Sequence, residues 1–75
     1  MNYGTFKEWT YAEEPDTWFI GSERDGCGVS CVGIPCVYEI VVVYRGNVYY
    51  LDDEHKLETA KKKAIEKWNS LKSED

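Results

Sequence analysis

Between residues 36 and 45 the chain runs CVYEIVVVYR. In an extended strand Tyr38, Ile40, Val42 and Tyr44 share one face, and Val37, Glu39, Val41, Val43 and Arg45 share the other. Only Glu39 and Arg45 are charged, so both faces are largely apolar and the segment belongs inside a sheet. A second β-rich run near 48–52 follows at once. Gly46-Asn47 between the two tolerates the positive φ of a tight turn, which predicts a hairpin. Upstream, runs near 5–12 and 17–24 flank Glu13-Glu14-Pro15-Asp16, a turn-like cluster whose proline fixes φ and removes a ladder donor. They are predicted as the first two strands.

After residue 53 the period changes. Leu57, Ala60, Ala64, Trp68 and Leu71 recur at intervals of 3, 4, 4 and 3, with Ile65 beside them. This is one apolar stripe at the helical period, and it predicts a helix near 54–71 that frays from Asn69 onward. Asp52 or Asp53 stands where an N-cap would be. The lysines at 56, 61, 62, 63 and 67 occupy the flanks and the outer side. The expected fold class is α+β: a three- or four-stranded antiparallel sheet (a β-meander) packed by one C-terminal α-helix, as a single small domain. Residues 25–36, DGCGVSCVGIPC, read as a wide glycine-dotted connection between strands. Such a fold buries the helix stripe and leaves the second sheet face needing cover or a partner.

Length and composition change that picture in one respect. A chain of 75 residues hides only about 60% of the surface its unfolded form exposes. With 15% aromatic residues, a few large side chains are expected to supply much of the core: Trp9, Trp18, Phe19, Tyr38, Tyr44, Tyr50 and Trp68. The net charge of -5 is unevenly placed, since residues 1–54 carry three basic and ten acidic side chains and residues 55–75 carry six basic and four acidic ones. An acidic body opposes phosphate binding, so nucleic acid is an unlikely partner. The first residues show no basic segment leading into an apolar run, and no stretch approaches the roughly 18 apolar residues of a membrane span. A cytoplasmic protein with no membrane partner is therefore expected, and its three cysteines are expected as reduced thiols, a disulfide between two of them being the minority reading.

The cysteines admit an alternative. Cys27, Cys31 and Cys36 with His55 count as a Cys3His zinc set, and zinc would add folding free energy to so small a domain. Their spacing, C-x3-C-x4-C, lacks the paired knuckles of structural zinc sites and the C-x-x-C of redox pairs. Asp52-Asp53-Glu54-His55 suits a helix start better than a cation or an acid/base pair. Three successive lysines at 61–63 spread around a helix and make no phosphate patch. The tyrosines Tyr38, Tyr44, Tyr49 and Tyr50 could stack bases, but Glu39, Asp52 and Asp53 surround them with negative charge. An aromatic surface rimmed by acids fits a protein partner with a basic surface, and these seven residues are the candidate partner-binding set. A chain of this size offers little room for a catalytic pocket, so no enzyme is expected and no cofactor beyond the zinc alternative.

From Tyr38 to Leu71 the pattern YEIVVVYRGNVYYLDDEHKLETAKKKAIEKWNSL resembles the closing hairpin and helix of double-stranded-RNA-binding domains. That family grips phosphates with a lysine pair at the helix start, where this chain has Leu57 and Glu58, so the resemblance implies topology and no RNA contacts. The same span, with Leu57, Ala60 and Ala64, is similar to short phage and prophage accessory proteins, anti-CRISPR inhibitors among them, and to HicB-type antitoxins. That resemblance implies a small acidic inhibitor or regulator of a host protein. A homodimer is a further option for the uncovered sheet face. The alternatives are a nucleic-acid-binding or antitoxin-type regulator and a small zinc-stabilised domain.

Overall fold

The computed structural model describes residues 6–13 and 16–74. Its elements, in chain order, are β1 (Phe6–Ala12), β2 (Thr17–Gly21), β3 (Asp25–Val32), β4 (Val37–Tyr44), β5 (Asn47–Glu54) and α1 (Leu57–Ser73). The strands form one five-stranded antiparallel sheet in the order β1-β2-β3-β4-β5, a meander in which every neighbour in sequence is a neighbour in space. The architecture is α+β, as the pattern predicts. The sheet has one strand more than expected. Residues 14 and 15 of the expected first turn, and residue 5 of the expected first strand, lie outside the described residues.

The extra strand is the cysteine segment. Cys27, Val29 and Cys31 alternate with Gly26, Gly28 and Ser30, and the first three face the helix side. The glycines suggested a loop, but both neighbouring strands pair with this segment along its length, and that pairing outweighs the conformational freedom of glycine. The same pairing corrects the expectation of three free thiols. Cys31 opposes Tyr38 and Val32 opposes Val37, so the short connection 33–36 returns Cys36 to within 5.5 Å of Cys31, Cα to Cα, and the two form a disulfide. Cys27 is the free thiol, buried in the core.

Two details of the β4–β5 hairpin and helix start also differ from expectation. The turn is Arg45-Gly46, one residue earlier than Gly46-Asn47, with φ of 51° and 80°. Two successive positive φ values define the two-residue turn whose twist matches the strands, with glycine at its second position. The helix begins at Leu57 behind Lys56 with no side-chain cap, because Asp52 and Asp53 still belong to β5, which runs to Glu54. At the other end the helix continues to Ser73, past the expected fraying point.

Helix α1 lies over β3, β4 and β5 and stops short of β1 and β2. The core consists of Cys27, Val29, Ile40 and Val42 from the sheet and Ala60, Ala64 and Leu71 from the helix. The alanines let the helix backbone approach the sheet closely. Leu57, Ile65 and Trp68 pack around them, completing the predicted stripe. Among the described residues no aromatic side chain is buried outright. Trp9, Tyr38, Tyr44 and Trp68 pack around the core, Trp18 and Phe19 are half-buried, and Tyr50 is 81% exposed. The aliphatic residues Ile40, Val29 and Val42 fill the centre instead. Trp68 Nε1 donates to Asp25 Oδ1 at 2.6 Å, and Lys63 pairs with Glu54, so the helix is tied at two places to the sheet it covers.

Candidate functional site

Ladder pairing determines which side chains share the face that no helix covers. One row crosses all five strands as Thr10, Phe19, Gly28, Val41 and Tyr50. The row beside it carries Gly21, Gly26, Val43 and Val48, and the row on the opposite side carries Ala12, Thr17, Ser30 and Glu39. The centre of this open face is therefore apolar. Within it, between Phe19 on one side and Val41 and Val43 on the other, is a trough of about 340 Å³ whose floor is Gly26 and Gly28 and whose end is reached by Glu23.

The face is bounded by acid. A register shift between Tyr38 and Ile40 places one extra β5 residue opposite Glu39, so Glu39, Asp52 and Asp53 cluster across the β4–β5 ladder. All three are exposed, and none makes an ion pair among the described residues. Like charges facing one another across a ladder cost stability, so folding alone does not favour this grouping. The six lysines of residues 56–72 belong to the helix layer on the other side of the sheet. Lys63 pairs with Glu54. The Lys61, Lys67 and Lys72 ammonium groups lie over the rings of Trp9, Tyr49 and Trp68 at 5.5, 5.3 and 3.5 Å. Arg24 and Arg45 stand in the turns at one end of the sheet.

The predicted partner-binding residues separate between the two faces. Tyr50 and Glu39 are on the open face, with Asp52 and Asp53 at its β5 edge. Tyr38, Tyr44 and Tyr49 are on the helix side, packed against the core. Phe19, Gly28, Val41 and Val43, which shape the trough, were absent from the candidate set. The alternation of Val41 and Val43 with Ile40 and Val42 signalled their face. The strand that completes it, β3, read as a loop, and this hid the site.

The zinc alternative does not assemble. Cys31 and Cys36 are bonded to each other, Cys27 is buried under the helix, and His55 is exposed in the β5–α1 connection. Among the described residues no group of three or more His, Cys, Asp or Glu side chains is gathered closely enough to hold a metal ion. Burial pushes the Cys27 thiol up to about 12, with Lys72 acting weakly in the opposite sense, so this sulfur is a neutral core atom at ordinary pH.

A second apolar area lies on the helix side, where α1 does not reach. Trp18 contacts Tyr11 at 5.1 Å and Tyr38 at 6.1 Å between ring centroids, and Lys61 lies 5.8 Å from its ring. Tyr11 donates its hydroxyl to Asp16, which with nearby carboxylate charge raises the phenol above its ordinary range. The rings here contact one another and a lysine lies over Trp18, so the area is partly covered from within the chain while Tyr11 stays 51% exposed. Among the described residues no helix is long and apolar enough to cross a membrane. No family model, no curated protein and no solved structure matches this chain.

Proposed function

We propose that this chain is a non-enzymatic protein-binding module that docks a basic partner surface on the open face of its sheet, acting as an inhibitor or regulator of the kind implied by its resemblance to phage accessory proteins. One observation carries the proposal. The open face combines an apolar centre with an acidic edge, Glu39, Asp52 and Asp53, none of them in an ion pair among the described residues, while the helix lysines lie on the opposite side of the sheet and Lys63 is near enough to feel the charge of Asp52. Apolar burial at the centre of an interface supplies affinity, and a rim of one charge selects and steers a partner of the other. Tyr50, exposed in the central row, is the aromatic anchor expected of such a surface.

The test compares variants in affinity capture followed by measurement with the purified partner. Tyr50→Ala and Glu39→Lys should each weaken binding at least tenfold and leave the circular dichroism spectrum unchanged. Lys62→Glu, on the far side, should leave binding unchanged, and added salt should weaken the wild-type complex. A partner whose affinity ignores both open-face variants would remove this reading.

A further inference from the structure

Gly26 and Gly28 form the floor of the same trough, but the fold needs only one of them. A Cβ at position 26 would stand 2.4 Å from Ile20 O and 2.7 Å from Ser22 O, both backbone atoms, so the β2–β3 connection requires glycine there. At position 28 a Cβ would meet Val41 Cγ1 at 3.5 Å, Trp18 O at 3.7 Å and Phe19 Cβ at 4.0 Å, which is ordinary van der Waals contact. The backbone there is a strand paired on both sides. Glycine in a strand interior gives up stability that any other residue would retain, and it marks places where another group approaches the backbone. What the missing side chain leaves is a gap in the central row, between the Phe19 ring and the Val41 branch.

Resting on the docking role proposed above, we infer that this gap receives one large apolar side chain of an extended partner segment, with basic residues two positions before and after it. The spacing follows from the sheet. The trough runs along β4 past Val41 and Val43 to Glu23, and Glu39, outside its lining, stands on the same face one row beyond Val41. Side chains on one face of an extended chain recur about every 7 Å, so positions two before and two after a central residue are separated by about 14 Å. Four residue steps of β4, from the Glu39 row to the Val43 row, span about the same length, and Glu23 follows in the β2–β3 turn just past the Val43 row. A segment of the form basic-x-apolar-x-basic therefore fits its central side chain to the trough and its charges to the two acids. A second copy of this chain in face-to-face contact would bring together two surfaces that both carry exposed acids, Glu23, Glu39, Asp52 and Asp53, and among the described residues neither offers the basic groups that would match them, which opposes that occupant.

The probe is the acetylated, amidated peptide KSFSK, titrated into isotope-labelled protein with amide shifts as the readout. Saturable shifts are expected at Phe19, Gly26, Gly28, Val41 and Val43 and not along α1. The peptides KSASK and ESFSE should bind about tenfold or more weakly, because each lacks either the buried ring or the matching charge. Gly28→Val should abolish the shifts, and Gly28→Ala, which the space at position 28 accommodates, should weaken them. Absent shifts, equal binding of KSFSK and KSASK, or undiminished binding to Gly28→Val would overturn the inference. So would a concentration-dependent dimer in sedimentation that Gly28→Val dissociates, since the trough would then belong to a second copy. If a purified partner is lost with Tyr50→Ala and Glu39→Lys but kept by Gly28→Val, the docking face stands and the trough inference alone falls.

Discussion

Replace Gly28 by alanine and the new methyl rests in ordinary contact with Val41 and Phe19; replace Gly26 and it collides with backbone oxygens of Ile20 and Ser22. The first change restricts the unfolded chain at a position the native strand accepts, worth about 0.4–1 kcal/mol, and partial burial of the methyl adds less than the roughly 0.8 kcal/mol of a fully buried one. In a domain of this size each kcal/mol moves the midpoint by about 4–8 °C, so Gly28→Ala should raise it by roughly 2–14 °C. The second change forces apart β2 and β3, where Ser22 N bonds to Asp25 O at 2.9 Å. Overpacking of this kind costs about 1–3 kcal/mol or more, a fall of at least roughly 4 °C. Thermal melts followed by far-ultraviolet circular dichroism measure both. A Gly28→Ala protein that melts below wild type, or a Gly26→Ala protein that melts with it, would refute the claim that only Gly26 is required by packing.

Two further outcomes concern the cysteines. Iodoacetamide followed by mass spectrometry should add nothing to the native protein, one group in denaturant, and three in denaturant with reductant; more than one adduct without reductant would contradict the Cys31–Cys36 bond. The buried Cys27 thiol also links stability to alkaline pH. Its folded value of about 12 exceeds the ordinary 9.0, so between these values the unfolded chain releases a proton that the native state keeps. The thiol's contribution is intact below about pH 9 and is lost as pH rises toward 12. Urea denaturation at about pH 7.5 and about pH 10 should show a larger loss for wild type than for Cys27→Ala, and equal losses would count against the burial of this sulfur.

Sequence pattern sufficed where side-chain period and packing agree. The helix stripe from Leu57 to Leu71 and both faces of β4 are legible because burial on a helix or strand leaves a period in the chain. It failed at β3, where glycine at 26 and 28 carries two opposite meanings. One glycine is imposed by a close backbone approach and the other is not, and only the position of Ile20 and Val41 across the sheet separates them. The disulfide was illegible for the same reason, since Cys31 and Cys36 become neighbours only once β3 is paired with β4. Tyr38, Tyr44 and Tyr49 pack on the helix side, away from Tyr50, and this was illegible because two-residue alternation assigns a face without saying which face the helix takes.

The location of the site follows from the proportions of the fold. Five strands at about 4.8 Å spacing make a sheet roughly 20 Å wide, and one helix about 10 Å across covers half of one side. Two apolar areas must then remain outside the core. On the helix side the uncovered strands carry Tyr11 and Trp18, large rings that reach one another and Tyr38, with Lys61 above them. On the open face the corresponding row carries Phe19, then no side chain at all at Gly28, then Val41, and so the neighbours cannot close over the gap themselves. The first area is partly covered from within the chain, by its own rings and Lys61. The second has no such internal cover at Gly28, and it is the surface to which the proposed partner is assigned.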